Sequence, residues 1–438
     1  MKCMRIMWTV FVTFPEVAEK VGKKAEYACT WARALADHLR YRDDIRLAIV
    51  SVANGNEVQK HTVDNIDFYF LPNEKAMKSN GGGIQARVYW KHVIEDFQPD
   101  LIHIHGSESM VPYELIKMNL NVPLYLTLQG ILSNYYKDYT AGISYDEIKK
   151  NITIRDIIRR SGIIGDQRKA KMRSKTEQEM IRGVHYLGGR TTWDRVSSLA
   201  IHPTAKYLTA PEMIRPEFYE ADRWNIDSIE RHRLFMHQGF KPIKGLHILL
   251  EAMFYLKKKY PDIQLYMSGK NIMSKSSIKD KLMQPGYVKL LFKKISEYGL
   301  QDCIHFTGVL NAEEIVTELK KSHVMVLPSS IENSPNSLCE AQLVGIPTVA
   351  SYVGGVPEML RDGKDGFLYA FDEPLMLAEY ISRIFDSDEI ADSFSKSSYA
   401  WVRSRQGEEL VLNETIKNYR FIIDDWEKEN GSEKGRTN

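Results

Sequence analysis

Short apolar runs rich in β-forming residues alternate with longer helical patterns along this chain, and the whole alternation occurs twice. The first series of predicted strands covers 6–14, 47–52, 66–71, 101–105 and 124–128, and the second covers 234–237, 263–267, 304–307, 324–327 and 348–351. Strands separated by helices form parallel sheets that are covered on both faces. The sequence therefore predicts an α/β protein with two Rossmann-like domains, and Pro216 with its mixed-charge surroundings indicates a boundary within 214–228.

Composition excludes several classes of protein. Of the 438 residues, 43% are hydrophobic and 26% are charged, which is typical of a folded globular chain. The 59 Lys and Arg residues nearly balance the 57 Asp and Glu residues, so a protein that wraps nucleic acid is disfavoured. The cysteines contain no C-x-x-C pair, which argues against a zinc knuckle or a disulfide scaffold and favours a reducing compartment; they are Cys3, Cys29, Cys303 and Cys339.

The amino-terminal apolar run resembles the start of a signal peptide, but Pro15 and Glu16 follow it at once and no small-residue cleavage site appears. No stretch reaches the roughly 18 consecutive apolar residues of a membrane-spanning helix. We therefore expect a cytoplasmic protein whose contact with membranes, if any, is peripheral.

The regular alternation lapses between Asp146 and Arg182. Residues 147–182 contain eleven Lys and Arg against five Asp and Glu, with isoleucines interleaved. Such a segment is compatible with a surface that meets anionic lipid or an acidic acceptor. The simpler interpretation, a solvated helical hairpin, is the one that we favour from the sequence. A helix is predicted over 408–428, crossing back to the first domain, and a disordered tail over 429–438.

The densest group of polar residues follows the predicted strand 324–327. Glu332 lies in the loop and Glu340 one turn into the next helix. At this edge of a parallel sheet the backbone N–H groups of Asn336, Ser337 and Leu338 would suit a diphosphate, and a carboxylate can accept hydrogen bonds from two sugar hydroxyls. A purely structural interpretation is equally good, because Ser337-x-x-Glu340 reads as a capping box.

A second loop, from Gly239 to Gly245, follows a strand and precedes an amphipathic helix, and it places Lys241 and Lys244 where phosphate charge would be neutralised. Further glycine turns follow at the intervals of strand edges, in the stretches 345–347, 354–358 and 363–366.

Together these motifs resemble the retaining glycosyltransferases of family 4 (glycosyl transferases group 1), over roughly 234–369. The stretches 99–106, 127–130 and 189–194 resemble, more loosely, that family's first domain. The resemblance implies the GT-B fold, in which two Rossmann-like parallel-sheet domains face each other across a cleft. It implies an acceptor-binding domain over 1–220 and a nucleotide-sugar-binding domain over 221–407.

Carried over residue by residue, the resemblance assigns Glu340 to the ribose hydroxyls, Glu332 to the transferred sugar and Lys244 to the diphosphate. Val309 would face the base through its backbone, beside the remaining donor-loop residues Gly239, Lys241, Asn336, Ser337 and Leu338. The sequence departs from the family where Phe240 and Lys241 replace Arg-Leu, and where Pro335 replaces a glycine and removes an N–H donor.

In the first domain, Gln129 stands where the family often has histidine, so it keeps hydrogen bonding but cannot become cationic. We count Gln129 among the catalytic candidates and place His105 and Arg190 on the acceptor side. Because side chains alternate along a strand, we expect His103 and His105 to face different sides of the sheet. We expect His103 to be buried and hydrogen-bonded.

These observations predict an enzyme that moves a sugar from a nucleotide diphosphate to a saccharide or lipid-linked acceptor, with retention at the anomeric carbon. No Asp-x-Asp motif follows an apolar strand, so neither a metal nor another cofactor is expected. Polysaccharide or lipopolysaccharide assembly at the inner face of the cytoplasmic membrane is the setting that the resemblance implies. The alternatives are a sugar-nucleotide epimerase of the same architecture and a non-catalytic nucleotide-sugar-binding subunit.

Overall fold

The computed structural model describes residues 3–24, 30–269 and 284–434, and these form two compact units. Unit 1 comprises the described parts of Met1–Leu132, Arg173–Ile214 and Gln406–Asn438. Unit 2 comprises the described parts of Ser133–Met172 and Arg215–Arg405.

Unit 1 is built on a sheet of eight strands within the described residues, in the order β3-β4-β2-β1-β5-β6-β7-β8. The strands are β1 (Met4–Thr9), β2 (Ile45–Val52), β3 (Gln59–Val63), β4 (Ile66–Leu71), β5 (Leu101–His105), β6 (Leu124–Thr127), β7 (Tyr186–Gly189) and β8 (Lys206–Thr209). All neighbours pair in parallel except β3, which is antiparallel to β4 at the edge. Apolar side chains of the central strands pack against the buried face of helix Ile84–Phe97, which includes Trp90 and Phe97.

Unit 2 is built on a parallel sheet of six strands within the described residues, in the order β11-β10-β9-β12-β13-β14. The strands are β9 (Arg233–Met236), β10 (Gln264–Ser268), β11 (Ile304–Gly308), β12 (Val324–Leu327), β13 (Thr348–Ser351) and β14 (Phe367–Tyr369). The two predicted Rossmann-like parallel-sheet domains are therefore confirmed.

Helices connect the strands of both units. Along the chain the α-helices are Pro15–Ala18, Thr30–Leu39, Glu74–Asn80, Ile84–Phe97, Tyr113–Ile116, Leu132–Tyr135, Tyr145–Lys150, Ile154–Ile158, Ile163–Arg182, Thr192–Ile201, Pro216–Tyr219, Leu246–Lys259, Gly286–Glu297, Ala312–Lys321, Asn336–Val344, Val356–Met359, Pro374–Phe385, Asp388–Gln406 and Glu408–Lys434. None of the described helices is both long enough and apolar enough to cross a bilayer.

The division of the chain differs from the expected 1–220 and 221–407 in one large respect. The segment 133–172 belongs to unit 2, because it is hydrogen-bonded there. The Ser330 hydroxyl donates to the Asp138 carbonyl at 3.0 Å, the Gly286 N–H donates to the Asp156 carboxylate at 2.8 Å, and His247 Nε2 lies 2.8 Å from the Ala141 carbonyl oxygen. The chain first passes from unit 1 to this segment, returns, and passes again at 214–215.

The expectation of a disordered tail over 429–438 is wrong for its first part. Helix Glu408–Lys434 packs within unit 1 and continues through 429–434, where Lys206 donates to the Glu429 carboxylate at 2.6 Å and the Asn430 side chain donates to the Trp426 carbonyl at 3.0 Å. Residues 435–438 lie outside the described residues.

Candidate functional site

The centre of the unit 2 sheet contains a point where the strand order reverses. The chain leaves β9 toward β10 on one side and leaves β12 toward β13 on the other, while β9 and β12 are neighbours. Ligands of open α/β sheets bind at the carboxyl ends of strands at such a point. The loops that follow β9 and β12 are the two that the sequence analysis selected.

Two glycines let the loop after β12 approach the loops that follow β9 and β13 closely. Gly245 has φ +71°, and a Cβ built on it would lie 1.6 Å from the Pro328 carbonyl oxygen. Gly354 has φ +51°, and its Cβ would lie 1.8 Å from the Glu332 carbonyl oxygen. At both positions the backbone is left-handed, and a neighbouring carbonyl oxygen occupies the space that a Cβ would need. Gly245 therefore sets the distance between the loops that carry Lys244 and Glu332, and Gly354 sets the distance between the Glu332 loop and the loop that follows β13.

Lys244 and Glu332 form an ion pair between the two loops. Lys244 ends a short 3-10 turn, and its Nζ donates to Glu332 Oε1 at 2.5 Å. The Ser329 hydroxyl donates to the same oxygen at 2.8 Å. Glu332 is buried, whereas one third of the Lys244 side chain is exposed (33%). The Lys244 ammonium is therefore partly open to solvent, while the buried Glu332 carboxylate is compensated by it.

Glu340 lies in helix Asn336–Val344 and is held by an arginine that sequence reasoning missed. Arg215 donates to Glu340 Oε1 through Nε at 3.0 Å and Nη2 at 2.7 Å. Burial raises the pKa of Glu340, and Arg215 opposes this shift. Arg215 and Glu340 are 125 residues apart, so no local spacing signals their contact.

His237, which directly follows β9, lies beside this pair. Its Nε2 is 4.0 Å from Glu340 Oε2 and has no hydrogen-bond partner in the described part of the chain. Burial, together with Arg215 and Lys244, lowers the pKa of His237 to about 3, so the ring is neutral at physiological pH. His237 lies in the predicted strand 234–237, and no functional role was expected for it.

The capping box expected from Ser337 and Glu340 does not form. The helix begins two residues earlier than that box requires, at Asn336, and its N-cap is Pro335, which makes no side-chain cap. The Leu338 N–H donates to the Pro335 carbonyl at 3.0 Å, so it is not open to a diphosphate as the sequence analysis expected. The buried oxygens Ser334 Oγ and Asn336 Oδ1 have no hydrogen-bond partner among the described residues. The start of this helix therefore has buried hydrogen-bond acceptors without partners among the described residues.

The remaining donor-loop candidates have different surroundings. A Cβ on Gly239 would lie 2.6 Å from Met267 Sδ, so this glycine is required by packing. Lys241 is exposed. Val309 follows the edge strand β11 and is 85% exposed. The structure therefore brings Lys244 and Glu332 into contact, while Lys241 makes no recorded ion pair among the described residues.

In unit 1, Gln129 and Arg190 share a carboxylate at the carboxyl ends of β6 and β7. Gln129 Nε2 donates to Glu212, and the Arg190 guanidinium forms an ion pair with Glu212. Arg190 also donates to the Leu128 carbonyl at 3.0 Å and is buried, with 5% of its side chain exposed. Glu212 was missed by sequence reasoning, because it lies 83 residues from Gln129.

The assignment of His103 and His105 to different sides is wrong. Residues i and i+2 of a strand lie on the same face, and the two rings are 3.7 Å apart. His103 is buried and hydrogen-bonded to Tyr419 and Thr127, at 2.8 and 3.0 Å, as expected. His105 is buried against Trp8, and burial lowers the pKa of His105 to about 3.

Glu108 is a further carboxyl that the sequence analysis missed. It follows β5, and its Oε1 accepts a hydrogen bond from the Gly130 N–H at 2.6 Å. Burial, with a smaller contribution from Glu177, raises the pKa of Glu108 to about 7. Its only sequence signal is its place just after a predicted strand.

Comparison with known proteins agrees with this architecture. Residues 221–401 match the family model described as Glycosyl transferases group 1. The chain is 22% identical over 380 residues to spore coat protein SA of Bacillus subtilis (strain 168), covering 85% of this chain and 89% of that protein. It is 28% identical over 156 residues to the putative colanic acid biosynthesis glycosyltransferase WcaL of Escherichia coli (strain K12), covering 34% and 35% of the two chains.

A solved structure shares the fold over nearly the whole length. The Anabaena protein HepE in complex with UDP-glucose matches with a TM-score of 0.64 and 15% identity, covering 95% of this chain and 99% of that one. The expected resemblance to group 1 glycosyltransferases is confirmed for residues 221–401, which contain Lys244, Glu332 and Glu340.

Proposed function

We propose that this chain is a retaining, metal-independent glycosyltransferase of family 4, which transfers a sugar from a nucleotide diphosphate to a saccharide or lipid-linked acceptor. The observation that carries the proposal is the Lys244–Glu332 ion pair at the strand-order reversal of unit 2. It lies within the residues that match the group 1 family.

In this proposal the donor lies along the carboxyl ends of β9 and β12. Lys244 and the start of helix Asn336–Val344 meet the diphosphate, because a cation and backbone N–H groups both stabilise phosphate charge. Glu332 accepts hydrogen bonds from hydroxyls of the transferred sugar, and Glu340 accepts them from the ribose. Asn336 and Ser337 supply further polar groups at the helix start.

The transfer breaks the bond between the anomeric carbon and the diphosphate oxygen, and the bonding electron pair leaves with the diphosphate. The acceptor hydroxyl attacks from the same face and passes its proton to the leaving phosphate. Glu332 is buried and compensated by Lys244, which supports a binding role rather than a nucleophilic one. Lys244 lowers the barrier by stabilising charge that develops on the leaving group.

His105 and Arg190 are assigned to the acceptor side in unit 1, and Gln129 of the same unit is assigned a catalytic role. A pKa of about 3 for His105 means that its ring is neutral at neutral pH, so it is not present as an imidazolium that could act as a general acid. Arg190 is buried and bonded to Glu212, which favours a role in holding Glu212 and Gln129 in place.

The biological setting that we propose is polysaccharide or lipopolysaccharide assembly at the inner face of the cytoplasmic membrane. The similarity to a putative colanic acid biosynthesis glycosyltransferase supports a polysaccharide product, and the UDP-glucose complex of HepE supports a nucleotide-sugar donor.

A panel of nucleotide sugars tests the proposal. We expect one donor to raise the melting temperature of the protein, because a ligand that binds only the folded state stabilises it. Incubation with that donor alone should give slow hydrolysis. Isomerisation of the donor would identify an epimerase, and binding without any turnover, with or without acceptors, would identify a binding subunit. Either outcome would contradict the proposed transfer.

A further inference from the structure

Helix Ile154–Ile158 has its apolar side facing outward. Ile154, Ile157 and Ile158 are 59%, 67% and 74% exposed, whereas the acidic Asp156 between them is buried. Positions i, i+3 and i+4 lie on one face of a helix, so the three isoleucines form a continuous apolar strip. A soluble surface helix normally places such a strip against the core. Here the strip is open to solvent.

The orientation of this helix is fixed by its polar residues. The Thr153 hydroxyl caps the helix by accepting from the Asp156 N–H at 3.3 Å, and the Asp156 carboxylate accepts from the Gly286 N–H at 2.8 Å. A Cβ on Gly286 would lie 2.6 Å from Asp156 Oδ2, so the backbone approaches closely there. These contacts hold Asp156 inward and thereby impose the outward position of the isoleucines.

The strip continues into an apolar groove of about 580 Å³ in the same unit. Ile152 and Met172, which are 47% and 66% exposed, line the groove together with Ile157 and Leu290. The exposed apolar area therefore extends over helix Ile154–Ile158, the preceding Ile152 and helix Ile163–Arg182. We call it the isoleucine surface, defined by Ile152, Ile154, Ile157, Ile158 and Met172.

Positive charge surrounds this surface. Residues 149–172 contain eight Lys and Arg but only two acidic residues, of which Asp156 is buried. Arg159 and Arg160 are exposed and form no ion pair within the described part of the chain. Arg160, Arg168 and Lys169 line the groove itself. Lys169 is paired with Asp166 at 3.5 Å, so Arg159 and Arg160 are the cations that this argument uses. Apolar side chains flanked by such cations match the interfacial region of an anionic bilayer, where acyl chains meet lipid phosphates.

We propose that the isoleucine surface docks on an anionic lipid bilayer, with the isoleucines inserted among the acyl chains and Arg159 and Arg160 at the phosphates. The inference deepens the proposed membrane setting of the glycosyltransferase and gives it a location in the chain. It does not depend on the donor site, which lies at the strand edge of unit 2.

Vesicle sedimentation tests this proposal. The full chain should sediment with phosphatidylcholine vesicles that contain phosphatidylglycerol, sediment less as salt is added, and remain largely in solution with phosphatidylcholine alone. The double variant Ile157→Asn/Ile158→Asn should lose at least tenfold in vesicle partitioning. The matched control is Leu375→Asn, which removes a 56% exposed apolar side chain on helix Pro374–Phe385 of the same unit and should bind as the parent does.

The outcomes are separable from those of the proposed activity. The parent's failure to sediment at low salt, or equal binding by the isoleucine variant and the control, would overturn the proposal. Loss of a dimer in the isoleucine variant without any vesicle binding by the parent would instead assign the surface to a second copy of the chain. Melting temperature and stabilisation by nucleotide sugars, measured for every variant, should be unchanged, which shows that the variants fold and keep the donor site.

Discussion

At the scale of single residues, Lys244 has the most specific proposed role, and Lys241 provides its matched comparison. Both lie in the loop between β9 and the following helix, but Lys244 is bonded to Glu332 and Lys241 is exposed. We expect Lys244→Ala to lower kcat/KM by on the order of 2–4 kcal/mol, because a preorganised charge at the leaving group is lost. Lys241→Ala should change kcat/KM by the equivalent of less than about 1 kcal/mol. Steady-state kinetics with the identified donor decides, and equal small effects would remove Lys244 from the mechanism.

Glu340 has two tasks that substitution can separate. Because it accepts two hydrogen bonds from Arg215 in a buried setting, Glu340→Gln should destabilise the fold, which differs from the neutral effect expected of a capping residue. As a ribose ligand it should also lose nucleotide affinity, by roughly 1–3 kcal/mol.

The control is Arg215→Gln, which breaks the same ion pair from the other side. Thermal melting and calorimetric titration with the nucleotide diphosphate measure both properties for both variants. A purely structural Glu340 would show the same loss of stability in the two variants and full nucleotide affinity in Glu340→Gln.

The residues that the sequence could predict are those placed by local pattern. Lys244, Glu332 and Glu340 each follow a predicted strand, so their position at one sheet edge follows from parallel topology. Arg215 and Glu212 could not be predicted in this way. Each meets its partner across more than 80 residues, and periodicity carries no information on such contacts.

At the scale of elements, the approach of two loops depends on Gly245. Gly245→Ala would place a Cβ 1.6 Å from the Pro328 carbonyl oxygen and require φ +71° of a non-glycine residue. We expect a loss of stability of several kcal/mol together with loss of donor binding, because the loops must separate. Gly363→Ala is the matched control, since Gly363 has φ +66° but nothing within 4 Å of its Cβ.

Gly363→Ala should lower the free energy of unfolding by only about 1–2 kcal/mol, the cost of a left-handed backbone in a non-glycine residue, and should leave donor binding intact. Chemical denaturation and donor titration measure the two effects. Equal losses in both variants would mean that backbone conformation alone, and not the close approach, explains the requirement for glycine.

Element positions were predictable where apolar runs are long. The strand Ile66–Leu71 has the predicted bounds, because every residue in it is buried. The edge strand Gln59–Val63 escaped prediction, since its polar residues are partly exposed and lack an apolar pattern. The placement of 133–172 in unit 2 also escaped prediction, because hydrogen bonds between residues far apart in the sequence hold it there, such as that from the Gly286 N–H to the Asp156 carboxylate.

At the scale of the whole molecule, buried neutral histidines occur in both units and make stability depend on pH. Burial lowers the pKa of His105 to about 3 in unit 1 and that of His247 to about 4 in unit 2. A histidine of the unfolded chain has a pKa of about 6.5, so below that pH it binds a proton that the buried histidine of the folded chain does not. This contribution to stability is complete above about pH 6.5 and falls as the pH drops toward 4, by at most about 1.4 kcal/mol per pH unit for each histidine.

The substitution His247→Gln removes the contribution of one of these histidines to the pH dependence of stability. The variant should be less stable at pH 7, because His247 bonds to Tyr287 and Ala141, but its stability should fall less steeply than that of the parent between pH 6.5 and 4.5. Urea denaturation across this range measures the slopes. Parallel curves for parent and variant would show that His247 does not remain neutral in the folded state.

Turnover of the stabilising nucleotide sugar in excess chelator, followed by nuclear magnetic resonance, tests the proposed chemistry most directly. Since Lys244 and the helix start are assigned the charge of the leaving group, cleavage should continue without divalent metal. The sugar should first appear with the anomeric configuration of the donor. Loss of cleavage that Mg²⁺ or Mn²⁺ restores, or first release of the opposite anomer, would contradict the proposed mechanism.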